Sequence, residues 1–278
     1  MSIKFKFPNF KRKAFTVSYD DGTIHDRRML EIMTKHGIKG TLNVNSSLIV
    51  DRKPTKFVHL TAEELLELVE KSGFEVAVHG HRHLSLAEVE TGVATYDVMK
   101  DREVFEALFG RVIKGMAYAN GSYSDEVVDM LKRCGIEYSR TTVSTKKFDM
   151  PSDWLRLPAT CHHNNPTLMD LAREFVEREE MRYFWRNAPM LFYVWGHSSE
   201  LQRDKNWEVF EELCEYVGGR EDVWYATNGE IYEYDMAYRA LRHASDQRII
   251  HNPSALDVYL RVDSRDVLVP AGKTVKIG

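Results

Sequence analysis

The sequence predicts an α/β fold assembled from parallel βα units. Segments of strand character alternate with helical segments about seven times along the chain, in units of roughly 25–40 residues. No GxGxxG fingerprint follows the first strand, which weighs against a dinucleotide-binding sheet. Residues able to carry chemistry fall where strands run out into loops, as on the C-terminal rim of a barrel. The units can close as a barrel or stay open as a doubly wound sheet.

The first core strand is contained in Ala14–Gly22, AFTVSYDDG, where Phe15, Thr16, Val17 and Tyr19 lead into two carboxylates and a glycine. Asp26–His36 follows as a helix with Met29, Leu30, Ile32 and Met33 on one face, stopping at Gly37. GIKGTLNVNSSL reads as the second strand. Thr61–Ser72 is a helix whose Thr61 and Glu64 stand at capping-box spacing and which ends at Gly73. Phe74–Val78 is a strand running into HGHRH, and a long helix covers about Gly92–Phe109. Strands at Val112–Ala119, Ile136–Thr142 and Trp154–Thr160 flank a helix at Asp125–Cys134. Pro166–Phe184 is a helix with proline at its start. Met190–Trp195, Val223–Ala226 and the helices Trp207–Val217 and Asn228–Leu241 complete the series.

Residues 1–244 are expected to form this main domain. Residues 245–278 change character: NPSALDVYLRV and DVLVPAGKTVKI read as short strands with a Pro-Ala-Gly turn, a small β extension packed on the main domain. A net charge of −4 gives no global attraction to nucleic acid or an anionic membrane. The basic segment SIKFKFPNFKRK lacks an apolar h-region, and no run reaches membrane-spanning length. Cys134, Cys161 and Cys214 are odd in number and far apart, so a disulfide framework is not expected and the cytoplasm is the default compartment. The chain leaves a homo-oligomer open.

Asp20 and Asp21 close the first strand. Two carboxylates so near repel, and a cation or a proton is needed to hold both in one cleft; a surface Asp-Asp-Gly turn is the plain alternative. His79 and His83 in VHGHRHLSL can converge on a metal from a glycine-containing loop, with His81 between them as a competitor. A carboxylate at one strand end and two histidines at another make a triad with open coordination positions, as hydrolytic zinc sites and non-haem iron sites have. A second carboxylate beside the ligand suits a general base, and His197, at the end of LFYVW, suits a general acid. His162 and His163 follow WLRLPAT and are candidates for substrate binding or for an extra ligand. Trp154 and Trp195 read first as core, with an acetyl or sugar pocket wall the alternative for each.

The motifs resemble those of the polysaccharide deacetylases of the NodB-homology type, carbohydrate esterase family four. SYDDG resembles the family's TFDDG, and EVAVHGHRH resembles its His-x-x-x-His motif. MAYANGSYSDEVVDMLKRCGI resembles the third motif and the helix after it, and LFYVWGHSSEL resembles the strand delivering the last histidine. The resemblance implies a distorted (β/α) barrel of about seven parallel strands. It implies Asp20 as catalytic base, Asp21, His79 and His83 as metal ligands, and His197 as the acid that protonates the leaving amine. Asn120, and with it Tyr123, would serve the oxyanion or substrate. One divalent metal is implied, zinc first, with cobalt, manganese, iron or nickel as alternatives. The substrate would be an acetylated sugar or oligosaccharide, losing an N-acetyl or O-acetyl group. A non-sugar C–N hydrolase on the same fold, or a catalytically impaired sugar-binding barrel, are the alternatives.

One departure stands out. The third motif usually carries Arg-Pro-Pro-Tyr-Gly, whereas this chain has Ala117-Tyr118-Ala119-Asn120-Gly121. The arginine that usually orients the catalytic aspartate is missing there, leaving Arg140 or Arg156 to replace it.

Overall fold

The computed structural model describes residues 2–50, 55–179 and 187–277. A short N-terminal strand, β1 (Ile3–Lys6), precedes the main sheet, which begins with β2 (Lys13–Asp20). The main sheet continues with β3 (Thr41–Val44), β4 (Glu75–Val78), β5 (Gly115–Ala117), β6 (Tyr138–Ser144), β7 (Leu157–Ala159), β8 (Cys161–His162), β9 (Met190–Gly196) and β10 (Val223–Tyr225). All of its pairings are parallel, in the order β7-β6-β5-β4-β3-β2-β9-β8 with β10 beside β2. β7 bonds to β6, and β8 bonds to β9. Only Thr160 separates β7 from β8, and its N–H reaches the Tyr193 carbonyl at 2.8 Å. The segment therefore changes neighbours at one residue and brings the sheet round into a nearly closed barrel.

Helices clothe the barrel: α1 (Asp26–Lys35), α2 (Ser46–Ile49), α3 (Ala62–Ser72), α4 (Thr91–Phe109), α5 (Asp125–Arg133), α6 (Leu168–Glu177), α7 (Ser198–Arg203), α8 (Trp207–Val217) and α9 (Asn228–Arg239). The strand period of two sorts β2 into two faces. Phe15, Val17 and Tyr19 join Met29, Leu30, Leu65, Val98 and Phe192 in the outer core. Each large apolar side chain so buried contributes about 1.5–3 kcal/mol. Ala14 faces inward with Tyr138, Leu157 and Tyr193. Thr16, Ser18 and Asp20 share that inward parity, so the barrel's axis is polar at its upper end. No helix among the described residues is long and apolar enough to cross a membrane.

Several expected elements change length. GIKGTLNVNSSL is strand only at Thr41–Val44, because Asn45 turns its amide onto the His79 and Gly80 carbonyls and the Ser46 N–H goes to Asp101. The following residues coil into α2. Trp154–Arg156 is a 3-10 turn before β7, anchored by Trp154 Nε1 donating to Asp235 at 2.7 Å. α6 ends at Glu177 and starts after Pro166, with Thr167 at its N-cap; residues 180–184 of the expected helix lie outside the described residues. α3 has the expected capping box, Thr61 with Glu64, and Gly73 at its end.

The remaining strands, β11 (Arg242–His243), β12 (Ile249–His251), β13 (Val258–Val262), β14 (Arg265–Val269) and β15 (Thr274–Lys276), make two small sheets. β1 pairs antiparallel with β13 and so joins one of them, whereas β15 pairs with β12 in the other. Ile250, Val258, Leu260 and Val269 pack with Ala237 and Leu241 at the end of α9.

Candidate active site

β2 ends on Asp20, and the chain then leaves the sheet through two left-handed residues, Asp21 (φ 79) and Gly22 (φ 66). Asp tolerates that conformation better than most side chains, and glycine freely. A Cβ at Gly22 would also lie 2.9 Å from Ile49 Cδ1. The turn brings Asp21, which strand alternation would aim outward, back toward the mouth where Asp20 already points.

Asp21 Oδ1 lies 3.8 Å from His79 Nε2 and 3.6 Å from His83 Nε2. The three ligand-type atoms stand within 4.8 Å of one another. His79 Nδ1–H donates to the Ala117 carbonyl at 2.8 Å, which leaves the Nε2 lone pair facing Asp21. Asp21 Oδ1 is buried with no hydrogen-bond partner. An orphaned carboxylate oxygen opposite two imidazoles fits a divalent cation, whose charge would offset the desolvation cost. His81 does not join them: it is buried beside Ser46, with Nδ1 2.8 Å from Ser46 Oγ.

Asp20 is held differently. Asn43 Nδ2 donates to its Oδ1 at 2.8 Å, and Arg140 forms a very short ion pair with its Oδ2. That Oδ2 is 3.8 Å from both His79 Nε2 and His197 Nε2. Burial alone would raise the Asp20 pKa, but the charge of Arg140, helped by His79 and His197, holds it at about 2. Arg140 is fully buried on β6, donates to Ser18 Oγ at 3.2 Å, and lies 4.3 Å over the Trp195 ring. It takes the place beside Asp20 that the third motif leaves vacant. Arg156 does not: it pairs with Asp153 and Asp125 at the surface.

His197 caps α7 at the end of β9, and Glu200, one turn on, sets an oxygen 3.3 Å from its Nδ1. Burial would lower the His197 pKa, but Glu200 and the two aspartates raise it to about 9. Glu200 is a residue the sequence reading passed over; the i,i+3 spacing in HSSE is the signal that marks it. With one equivalent of metal, Glu200→Gln should move the alkaline fall of kcat/KM from about 9 toward the ordinary imidazole range. At pH 8 a full return to 6.5 would cut the protonated fraction of His197 by about 30-fold. An unchanged pH profile would refute this role.

Two further acids were missed. Asp101 on α4 accepts the His79 N–H at 3.0 Å and the Ser46 N–H at 2.7 Å, fixing the backbone that carries the histidine. Asp97, one turn earlier, accepts from Arg82 Nε at 2.8 Å. Both interrupt an otherwise apolar buried face of the helix.

The other candidates are dispersed around this cluster. Asn120 is left-handed (φ 56) at the end of β5 and ties to Ser85, just past His83, at 3.1 Å. Tyr123 stacks on Tyr118 at 5.0 Å and packs against the outer core. Trp195 separates Arg140 from His162, whose ring meets it edge-on at 4.5 Å. Trp154 packs in the inner cluster and donates to Asp235. His162 and His163 gather around Glu200.

Residues 8–139 match the family model described as polysaccharide deacetylase. The resemblance to the polysaccharide deacetylases is borne out. The match takes in the DDG and His-x-x-x-His motifs and stops short of His162, Trp195 and His197, which the fold brings to the same site. A provisionally named polysaccharide deacetylase from Mycobacterium smegmatis is 15% identical, with a TM-score of 0.60 over 86% of this chain and 95% of its own. A family 4 carbohydrate esterase from Streptomyces lividans, solved with acetate, is 11% identical, with a TM-score of 0.50 over 77% and 92%. A family four pseudoenzyme from Bacillus anthracis is 16% identical, with a TM-score of 0.50 over 82% and 68%. At these identities the likeness is one of fold. The chain spans 62% of a Streptococcus pyogenes deacetylase. No curated protein matches it in sequence.

Proposed function

We propose that the chain is a metal-dependent deacetylase that removes N-acetyl or O-acetyl groups from a carbohydrate. The observation that carries this reading is the position of Asp20. It is clamped by Arg140 and Asn43, and one oxygen stands 3.8 Å from the His79 of the triad and 3.8 Å from His197.

Asp21, His79 and His83 would hold the cation. When bound, it supplies Lewis acidity toward the acetyl carbonyl and acidifies water at that point. Asp20, ionised throughout the neutral range, takes the proton from the attacking water. Its low pKa makes it a weak base that is always available. His197, kept protonated by Glu200, donates from Nε2 to the departing sugar nitrogen or oxygen. The main-chain N–H of Asn120 is assigned to the developing oxyanion. A binding-only barrel would have no need for a buried aspartate and a raised histidine aimed at one point, and their retention favours hydrolysis.

The test is acetate release from acetylated chito-oligosaccharides, with metal counted in the same samples. Chelation should remove the metal and abolish release, and zinc or cobalt should restore both. Protein that binds no metal and hydrolyses no acetylated sugar or other amide, with or without added zinc, would sink the proposal.

A further inference from the structure

On the other side of His197 from Asp20 lies a second gathering of ligand-type atoms. His162 Nε2, His163 Nε2 and a Glu200 oxygen stand within 4.8 Å of one another. Glu200 Oε2 is 3.0 Å from His162 Nε2 and 3.5 Å from His163 Nε2. Ligands about 2.0–2.2 Å from a tetrahedral zinc are themselves separated by roughly 3.3–3.5 Å, so the spacing suits a cation.

Hydrogen bonding accounts for His162 and Glu200 but not for His163. His163 is 3% exposed, and its Nε2 is buried without a partner. Glu200 Oε2 sits among three ring nitrogens, His162 Nε2 at 3.0 Å, His197 Nδ1 at 3.3 Å and His163 Nε2 at 3.5 Å. A buried ring nitrogen left without a partner carries an uncompensated desolvation cost. The His163 ring is also firmly placed: it lies on Gly196, where a Cβ would come 2.0 Å from Nδ1. It stacks on Tyr19 at 5.5 Å, and Nδ1 meets the Tyr19 hydroxyl at 3.1 Å. A proton on Nδ1 donated to that hydroxyl leaves Nε2 as a lone pair.

We propose that His162, His163 and Glu200 form a second divalent-cation site, two imidazoles and a carboxylate of the zinc or cobalt type, separate from Asp21, His79 and His83. His162 is the more exposed of the two histidines. Its Nδ1 accepts the Asn164 N–H at 3.1 Å. Binding through Nε2 moves the ring proton to Nδ1, so this contact opens as the site fills. The inference does not require the first triad to be catalytic.

Metal-free protein dialysed against micromolar zinc, with metal counted by mass spectrometry, tests it. Wild type should take two equivalents, Asp21→Asn one, Glu200→Gln one, and the Asp21→Asn/Glu200→Gln double variant none. Cobalt should give two absorption spectra that disappear separately in the two single variants, and the Asn164 amide should shift only with the second equivalent. His162→Gln, at a half-exposed position, replaces Glu200→Gln should the latter not fold by circular dichroism. A wild type that stops at one equivalent lost in Asp21→Asn overturns the second site and leaves the proposed function standing. Two equivalents retained in both Glu200→Gln and His162→Gln also overturn it. One equivalent lost only in Glu200→Gln upholds this site and counts against the first triad.

Discussion

Asp20→Asn is expected to lower kcat for acetate release by about 10²–10⁴-fold, the usual contribution of a positioned general base, while metal content stays that of the wild type. The amide oxygen of Asn can still accept from Asn43 or Arg140, so the local geometry has partners left to hold it. What is lost is the capacity to take a proton. Asp21→Asn should lose one metal equivalent and activity together, because its Oδ1 faces both His79 and His83. The pair of variants thus divides two adjacent carboxylates by role. Metal lost from Asp20→Asn, or full turnover in it, would overturn the division.

That division was legible in part. The order of strands and helices, the rim position of the motifs and the caps of α3 follow from local patterns: period two, period 3.6, and Thr-x-x-Glu. Asp20, Asp21, His79 and His83 stood out because like charges and clustered imidazoles need a reason to be close. The replacement arginine was not legible. Arg140 and Asp20 lie 120 residues apart, and only the barrel, which places β6 across from β2, brings them together. Arg156 has the same chemistry in the sequence and ends on the surface with Asp153. Glu200 and Asn43 were hidden for a different reason. A glutamate at the start of a helix and an asparagine in a strand have many ordinary roles, and only burial beside His197 or Asp20 selects one.

Arg140→Met should cost about 3–5 kcal/mol of folding stability, more than most core substitutions, because it leaves Asp20 as a buried charge without its main partner. The sign of its pH dependence is specific. In the wild type, Asp20 titrates at about 2, below its ordinary 3.8. Its stabilisation is therefore present above 3.8 and lost as pH falls through 2. In the variant, burial outweighs the remaining partners and carries the pKa above 3.8. The folded state then keeps its proton longer than the unfolded chain, and stability falls as pH rises through that raised value. The gap between wild type and Arg140→Met should accordingly widen from pH 3 to pH 7 in denaturant titrations, and turnover should show a new acid limb. Arg140→Lys is not expected to rescue it, since one ammonium cannot reach Asp20 and Ser18 and also lie flat on Trp195. Adding Asp20→Asn to Arg140→Met should instead recover part of the lost stability, because the buried charge goes with its partner. A gap independent of pH, or a double variant whose losses simply add, would show that Arg140 serves packing alone.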